Sequence, residues 1–483
     1  MRSMFAPRLR ILTFAWALLG APMALGDAPG ALPEAVARAL SVADIPESAV
    51  AIVVQLIGAA SPALAVNPDQ LMNPASLMKL VTSFAALDLL GPAYQWSTSA
   101  LIDGKLDGAV LRGNLVIRGE GDPKLTIERL WLLVRRIRQA GIREISGDVI
   151  LDASRFSAPD TSPGAFDGKP LRAYNALPSA LLLNFNAANL NLASAANDDA
   201  VIATLEPQTS SLTLVNRIRS DTGPCGDWKE RLQISLDGGA RNRTLTIDGW
   251  FARACGEKAY PLSLFRAEEF FAAAFSDLWR ESGGILRGSV RPGALRGAAA
   301  GVVARLESPP LAEAIRDMNK FSNNVMARQI FLTLGAEFAG PPGTPGKARE
   351  AIAAWLDSKG IGRDGFVIDN GSGLSRQERA TAGQLARLLL AGWQSPLMPE
   401  LVSSLPIAAV DGTLKRRDAA AGVARQAHLK TGTLDGVRAL AGYAADRDLR
   451  PVIVVFIVNH PRAAEARVAE DALLDWLVNS SAE

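Results

Sequence analysis

Residues 73–92, NPASLMKLVTSFAALDLLGP, decide how this 483-residue chain is read. Pro74 stands near the start of the stretch and Gly91-Pro92 just past its end, the asymmetry expected of a helix. The run up to Leu90 is apolar on nearly every side, which predicts a central, buried helix rather than a surface one. Upstream, residues 49–57 form an almost unbroken apolar run, short enough for a buried strand. Downstream the texture changes. From about residue 95 to 300, short alternating segments such as 244–250 are separated by Gly, Asn, Asp and Pro, which predicts small strands and turns, with 131–139 as the one clear helix. Helical patterning returns at 310–318, 325–334, 348–356 and 381–390. The chain then offers three strands, 427–433, 437–445 and 451–459, and a last helix over 463–478. Short turns join these strands, so neighbours should pair antiparallel. The expected fold is mixed α/β (α+β). One domain is built from residues 27–95 and 301–483, and a large, mainly-β insertion occupies 96–300.

Bulk properties exclude several classes. The 51 basic and 49 acidic residues leave a net charge of +2, so no polyanionic partner is indicated. The basic clusters Arg135, Arg136, Arg138 and Lys415-Arg416-Arg417 are short and flanked by apolar residues. No basic stripe or interleaved aromatic motif accompanies them, which argues against nucleic-acid binding. At the N-terminus, Arg2, Arg8 and Arg10 precede the apolar run 11–19, and Ala24-Leu25-Gly26 follows. This is the layout of an export signal cleaved after Gly26. Its apolar core falls short of the ~20 residues a spanning helix needs, so the mature chain should carry no transmembrane segment. In an exported chain, Cys225 and Cys255 are expected to form one disulfide, closing a loop of about 30 residues. The cysteines lack tight ligand spacing, and only His428 and His460 accompany them, so neither a metal nor a cofactor is expected.

Three short motifs carry the chemistry. Ser76-Leu77-Met78-Lys79 is a Ser-x-x-Lys, Ser322-Asn323-Asn324 a Ser-x-Asn, and Lys430-Thr431-Gly432 a Lys-Thr-Gly. Ser-x-x-Lys occurs only at Ser76 in this chain and Ser-x-Asn only at Ser322. Residues three apart share a helix face, so Lys79 can reach Ser76. A serine hydroxyl is a weak nucleophile until a neighbour takes its proton. Lys79 can do so only when neutral, which burial and a second cation such as Lys430 would both favour. Ser76 near a helix N-terminus also sits where developing negative charge is favoured. Each motif has a plainer reading. Lys79 could extend its head to water. Ser322 and Asn324 could be an ordinary cap between helices. Lys430-Thr431-Gly432 could be a polar strand end, although Gly432 would also allow the close approach that a peptide-lining strand requires. The two histidines support no Ser-His-Asp arrangement: His428 suits local hydrogen bonding or packing, and His460 follows a strand at a turn.

The chain resembles the low-molecular-mass class C penicillin-binding proteins, the D-alanyl-D-alanine carboxypeptidase/endopeptidase family (peptidase S13). The resemblance runs from about residue 45 to 462. It is carried by Asn73-Pro74-Ala75-Ser76, Gly121-Asp122-Pro123, Tyr174-Asn175-Ala176 and Gly371-Ser372-Gly373-Leu374-Ser375-Arg376. Asp411-Gly412-Thr413-Leu414 and Lys430-Thr431-Gly432-Thr433-Leu434 complete it, and the interval of roughly 240 residues between the first two motifs also fits. The resemblance implies a serine β-lactamase/transpeptidase-like domain with an antiparallel sheet, flanking helices and an inserted module. Ser76 would attack the carbonyl of the penultimate D-Ala, forming an acyl-enzyme that water then hydrolyses, and Lys79 would be its base. Ser322 would relay a proton to the leaving amine, and Asn324 would orient substrate and Lys79. Lys430, Thr431 and Thr433, beside Gly432, would bind the terminal carboxylate. The N–H groups of Ser76 and Thr433 would form the oxyanion hole. Implied partners are peptidoglycan stem peptides and β-lactams, met in the periplasm.

Two departures stand out. Family members often carry Ala-Glu where this chain has Ala327-Arg328, and some bring an acidic residue from the insertion to the cleft, for which Asp167 is the candidate here. Two rival readings are a serine β-lactamase, for which no additional water-activating Glu is assignable, and a non-catalytic wall-binding protein.

Overall fold

The structure is a computed structural model that describes residues 31–158, 160–194, 200–295, 301–417 and 424–479. The expected export signal lies outside these residues.

The two ends of the chain meet in one sheet. Its five strands run in the order His428–Leu434, Val437–Ala445, Pro451–Asn459, Val50–Leu56 and Leu64–Val66. Every neighbouring pair is antiparallel, and Val50–Leu56 aligns with the C-terminal Pro451–Asn459 through Val50↔Val458 to Leu56↔Val452. Both of these strands are apolar apart from Gln55 and the terminal Asn459, because both faces of the sheet are covered. Ala51 and Val53, with Ile453, Val455 and Ile457, enter the core shared with the Ser76 helix. Val50, Ile52 and Val54, with Val452, Val454 and Phe456, enter a second core under the terminal helix. That second face is covered by Glu34–Val42 packed on Arg467–Asn479. The helix Glu34–Val42 was not anticipated from the sequence.

The central helix lies where the 73–92 stretch predicts it. Met78–Leu90 follows a 3-10 turn, Ala75–Leu77, and ends at Gly91, and Met78 to Leu87 are all buried. Around it pack Leu311–Phe321, Asn324–Ala339, Pro345–Ser358 and Ala382–Gln394, with the short Met398–Ser404 as an element the sequence pattern did not indicate.

The insertion has its own core. One mixed sheet of seven strands is built on the hairpin Ser97–Asp107/Val110–Gly119, and two three-stranded sheets pair Leu212–Asp221 with Arg243–Ala252 and Ala188–Ser194 with Val201–Glu206. The strand Gly301–Glu307 pairs antiparallel with Ser97–Asp107. The expected boundary at 300 therefore falls just ahead of a strand belonging to the inserted sheet. Besides the expected helix, here Ile127–Gln139, the insertion holds a second, Ala267–Glu281. Its buried face is Phe270, Phe271, Phe275 and Trp279, residues that in a strand-rich region read equally well as strand. Cys225 and Cys255 are joined in a disulfide. Among the described residues no helix is long and apolar enough to cross a membrane.

Candidate active site

The turn that carries Ser76 is held under strain. Ala75 has φ +47°, a left-handed conformation that an L-residue adopts only when its surroundings impose it. The surroundings are specific. Asn73 Oδ1 accepts the N–H of Ala75 at 2.9 Å, and Asn73 Nδ2 donates to the carbonyl of Ser375 at 2.9 Å. The side chain of Asn459, at the end of a central strand, bonds both the N–H and the C=O of Asn73, at 2.7 and 3.0 Å. Two glycines let backbone close in on the turn. A Cβ at Gly373 would stand 1.9 Å from the carbonyl oxygen of Ala75, and one at Gly432 would stand 2.9 Å from that of Pro74. Gly432→Val is therefore expected to push the Lys430 strand off the Ser76 turn. It should cut the rate of acylation by labelled penicillin about 10²-fold, the cost typical of a 1 Å misplacement.

Ser322 and Asn324 come from the junction of two helices. Leu311–Phe321 ends at Ser322, which is left-handed at φ 55°, and Asn324–Ala339 begins two residues later. The cap is Asn323, whose side chain accepts from Val325 N and Met326 N at 3.0 Å. With the middle residue satisfying the helix end, its two neighbours are free to face the cleft.

The motifs converge on two buried amines. Lys79 Nζ lies 2.9 Å from Ser76 Oγ and 2.7 Å from Asn324 Oδ1, and it also donates to the carbonyl of Ser372. Lys430 Nζ donates to Ser322 Oγ at 2.8 Å and to the carbonyl of Thr431 at 2.9 Å. Both lysines are completely buried. Burial pushes Lys79 well below its ordinary value, and the charges of Lys430 and Arg328 push further the same way against Glu378. Burial pushes Lys430 down to about 7. Lys79 thus does not extend to water. A neutral amine has two N–H bonds and one lone pair. Asn324 Oδ1 and the Ser372 carbonyl take the two donors, which leaves the lone pair for the hydroxyl proton of Ser76.

Lys430, Thr431, Gly432 and Thr433 lie on His428–Leu434, the edge strand of the sheet. An edge strand presents unpaired backbone groups to which an extended peptide can add. Thr431 Oγ1 is 2.8 Å from Thr413 Oγ1, and Thr433 is exposed. Asp167 is not in the cluster. It accepts from Tyr174 Oη and Asn175 Nδ2, both at 2.7 Å, and Asn324 Nδ2 donates to the Tyr174 carbonyl at 3.3 Å. Asp167 is therefore one residue removed from the Ser76, Lys79 and Asn324 cluster, bracing the loop that meets Asn324. The ring of His428 contacts the Val402 carbonyl at 3.2 Å, a local role. Beside the cluster opens a cavity of about 560 Å³, lined by Phe166, Asn175, Asn370, Ser375 and Arg376 among others.

Sequence reasoning assigned no role to Ser372, Thr413 or Asn459. Of these, Ser372 and Thr413 fall in stretches that carried the resemblance, which was the one signal available for them.

The model of the D-Ala-D-Ala carboxypeptidase 3 (S13) family matches residues 32–480. The chain is 26% identical over 402 residues to the D-alanyl-D-alanine carboxypeptidase DacB of Haemophilus influenzae, covering 81% of each. It is 29% identical over 478 residues to a D-alanyl-D-alanine carboxypeptidase of Actinomadura sp. (strain R39), covering 94% of this chain and 87% of that one. The crystal structure of penicillin binding protein 4 (dacB) from Haemophilus influenzae superposes with a TM-score of 0.76 at 24% identity, over 92% of this chain and 99% of that one, and shares the fold.

Proposed function

The chain belongs to the D-Ala-D-Ala carboxypeptidase 3 (S13) family, and from that premise we propose that Ser76 is the nucleophile with which it cuts the terminal peptide bond of peptidoglycan stem peptides. The protein is a serine-type D-alanyl-D-alanine carboxypeptidase. The observation that carries the assignment of roles is the contact of Lys79 Nζ with Ser76 Oγ at 2.9 Å, made while both remaining partners of the amine are acceptors.

Lys79 takes the hydroxyl proton as Ser76 Oγ attacks the carbonyl carbon of the penultimate D-Ala. The backbone N–H groups of Ser76 and Thr433 receive the developing oxyanion, at ~3 kcal/mol for each such donor. Ser322 passes its hydroxyl proton to the leaving amine while taking one from Lys430 Nζ, 2.8 Å away, and the C–N bond breaks to free D-Ala. The side chains of Lys430, Thr431 and Thr433 hold the terminal carboxylate of the substrate. Thr413, bonded to Thr431, orients that hydroxyl. Water then attacks the ester on Ser76, and the shortened peptide leaves. A β-lactam follows the same path as far as the acyl-enzyme. When the leaving amine belongs to a second stem peptide, the same steps cut a cross-link, which is the endopeptidase reading. The enzyme works after export, in the periplasm, where its substrate lies.

Incubation of the purified protein with monomeric pentapeptide and cross-linked muropeptides, with products identified by mass, tests this. Release of free D-Ala from monomers is the expected result, and conversion of dimers to monomers would add the endopeptidase activity. A protein that leaves both substrates intact would be a wall-binding module, and one that rapidly turns over a chromogenic cephalosporin would be a β-lactamase.

A further inference from the structure

Three lysines among the described residues are buried, and two of them, Lys79 and Lys430, belong to the cluster at Ser76. The third, Lys320, is 3% exposed and lies on the last turn of Leu311–Phe321, two residues before Ser322. A buried ammonium is tolerated only when it is paired and hydrogen-bonded. Lys320 Nζ meets Asp411 Oδ2 at 2.7 Å and donates to the Leu405 carbonyl at 2.6 Å. Asp411 Oδ1 in turn accepts the N–H of Ile407 at 2.8 Å. The neighbouring Asn319, completely buried, fixes the same helix end sideways. Its Nδ2 donates to Ser83 Oγ on the Met78–Leu90 helix and to Ser404 Oγ, both at 2.9 Å.

The ion pair seats a turn on the helix end. Gly412, directly after Asp411, has φ +57°, and a Cβ there would stand 2.5 Å from the Lys320 carbonyl oxygen. From this junction the chain leads to the cleft twice. Two residues beyond Lys320 is Ser322, left-handed at φ 55°, whose Oγ accepts from Lys430 Nζ at 2.8 Å. Two residues beyond Asp411 is Thr413, whose Oγ1 lies 2.8 Å from Thr431 Oγ1. Lys430 and Thr431 are adjacent on the edge strand His428–Leu434, so the pair stands behind the partners of both.

We propose that Lys320 and Asp411 are positioning residues that fix the Ser322 hydroxyl relative to the Thr431 hydroxyl, and so select a leaving group whose carboxylate sits on the carbon bearing its nitrogen. The proposal rests on the reading of the 430–433 strand as the carboxylate site. In D-Ala the amine and the carboxylate share one carbon, and a penicillin carries its carboxylate on the carbon next to the lactam nitrogen. The hydroxyl that protonates the nitrogen and the hydroxyl that holds the carboxylate must therefore keep a set separation. Ser322 lies just past the end of a helix and Thr413 in a three-residue turn, and the buried pair joins those two segments. Side chains that act together on one small group need such supporting contacts, because a misplacement of 1 Å is already costly.

The test compares acylation by benzylpenicillin and by its methyl ester, followed by intact mass over hours, for the wild type, Lys320→Met and Thr413→Val, with melting curves to verify folding. The ester keeps the reactive ring and its nitrogen and lacks only the charge that the strand recognises. Hydrogen bonds to a charged group are strong enough that the wild type should prefer the acid by about 10²-fold. Lys320→Met should narrow that preference by roughly tenfold, and Thr413→Val by as much. The double variant should narrow it no further, because both changes release the same hydroxyl. Damage to packing alone slows acid and ester by one factor, so an unchanged preference in Lys320→Met overturns the proposal. Should Lys320→Met not fold, Asp411→Asn, which keeps an oxygen for Ile407, is read instead with the same narrowing expected. A wild type that labels equally with acid and ester refutes the carboxylate reading of the strand. A wild-type preference that survives intact in the folded variant refutes only the role of the pair.

Discussion

Ser76→Ala is expected to abolish acylation by labelled penicillin and to lower D-Ala release by about 10⁶-fold, the scale seen when a serine nucleophile is removed from a preorganised site. That factor corresponds to about 8 kcal/mol of lost transition-state stabilisation. The structure supplies no substitute. Ser322 Oγ is engaged by the other amine, Lys430, at 2.8 Å, and the lone pair of Lys79 is directed at Ser76 rather than at any second hydroxyl. The change removes one oxygen from a short turn whose strained backbone is pinned by Asn73 and Asn459 independently of that side chain. The variant should therefore fold and melt like the wild type. Mass spectrometry of the intact protein after penicillin treatment is the direct readout. A wild-type rate of labelling in the variant would show that another group is attacked.

Lys79→Ala should cost about 10⁴-fold in acylation rate, the upper end of what a positioned base contributes. The loss combines three effects of one side chain. The base disappears, Asn324 Oδ1 loses its donor, and the Ser372 carbonyl is left buried without a partner. The last two penalise stability, so a lowered melting temperature is expected alongside the kinetic defect. In the wild type the sign of the pH dependence follows from the direction of the shift. Lys79 is held well below its ordinary value by burial first, then by Lys430 and Arg328. The active, neutral form persists above that depressed pKa, and acylation falls as pH drops through it. Lys430, at about 7, gains charge over the neutral range as pH falls, which favours its hold on a carboxylate. The two lysines thus pull the profile in opposite directions. Stopped-flow or quenched labelling across pH would resolve this, and an acylation rate that keeps rising toward acid would contradict the role of Lys79.

The amino-acid order was sufficient for features set by neighbours along the chain. The apolar run up to Leu90 with Gly91 behind it reads as a central helix, and residues three apart across the 3-10 turn that leads into it share one face, so Ser76 and Lys79 were legible together. The C-terminal strands and their antiparallel pairing were legible because short turns leave no other choice. Legibility failed where several conformations suit the same residues. The aromatic helix Ala267–Glu281 was lost among strands, because Phe and Trp serve both structures. The helix Glu34–Val42 owes its place to the distant terminal helix it packs on.

Residue order also named Ser322, Asn324 and Lys430 as candidates, yet it could not say that they meet. Asn324 is 245 positions from Lys79, and Ser322 is 108 from Lys430. No local rule spans such intervals. Their contact depends on the N-terminal strand Val50–Leu56 closing the C-terminal sheet, on Asn323 capping its helix so that its neighbours turn inward, and on Gly432 admitting one backbone against another. The same packing brings the Ser372 carbonyl to Lys79 and the Thr413 hydroxyl to Thr431. Local spacing singled out Ser76 with Lys79, and long-range packing alone strips water from the two amines and sets each beside a serine hydroxyl.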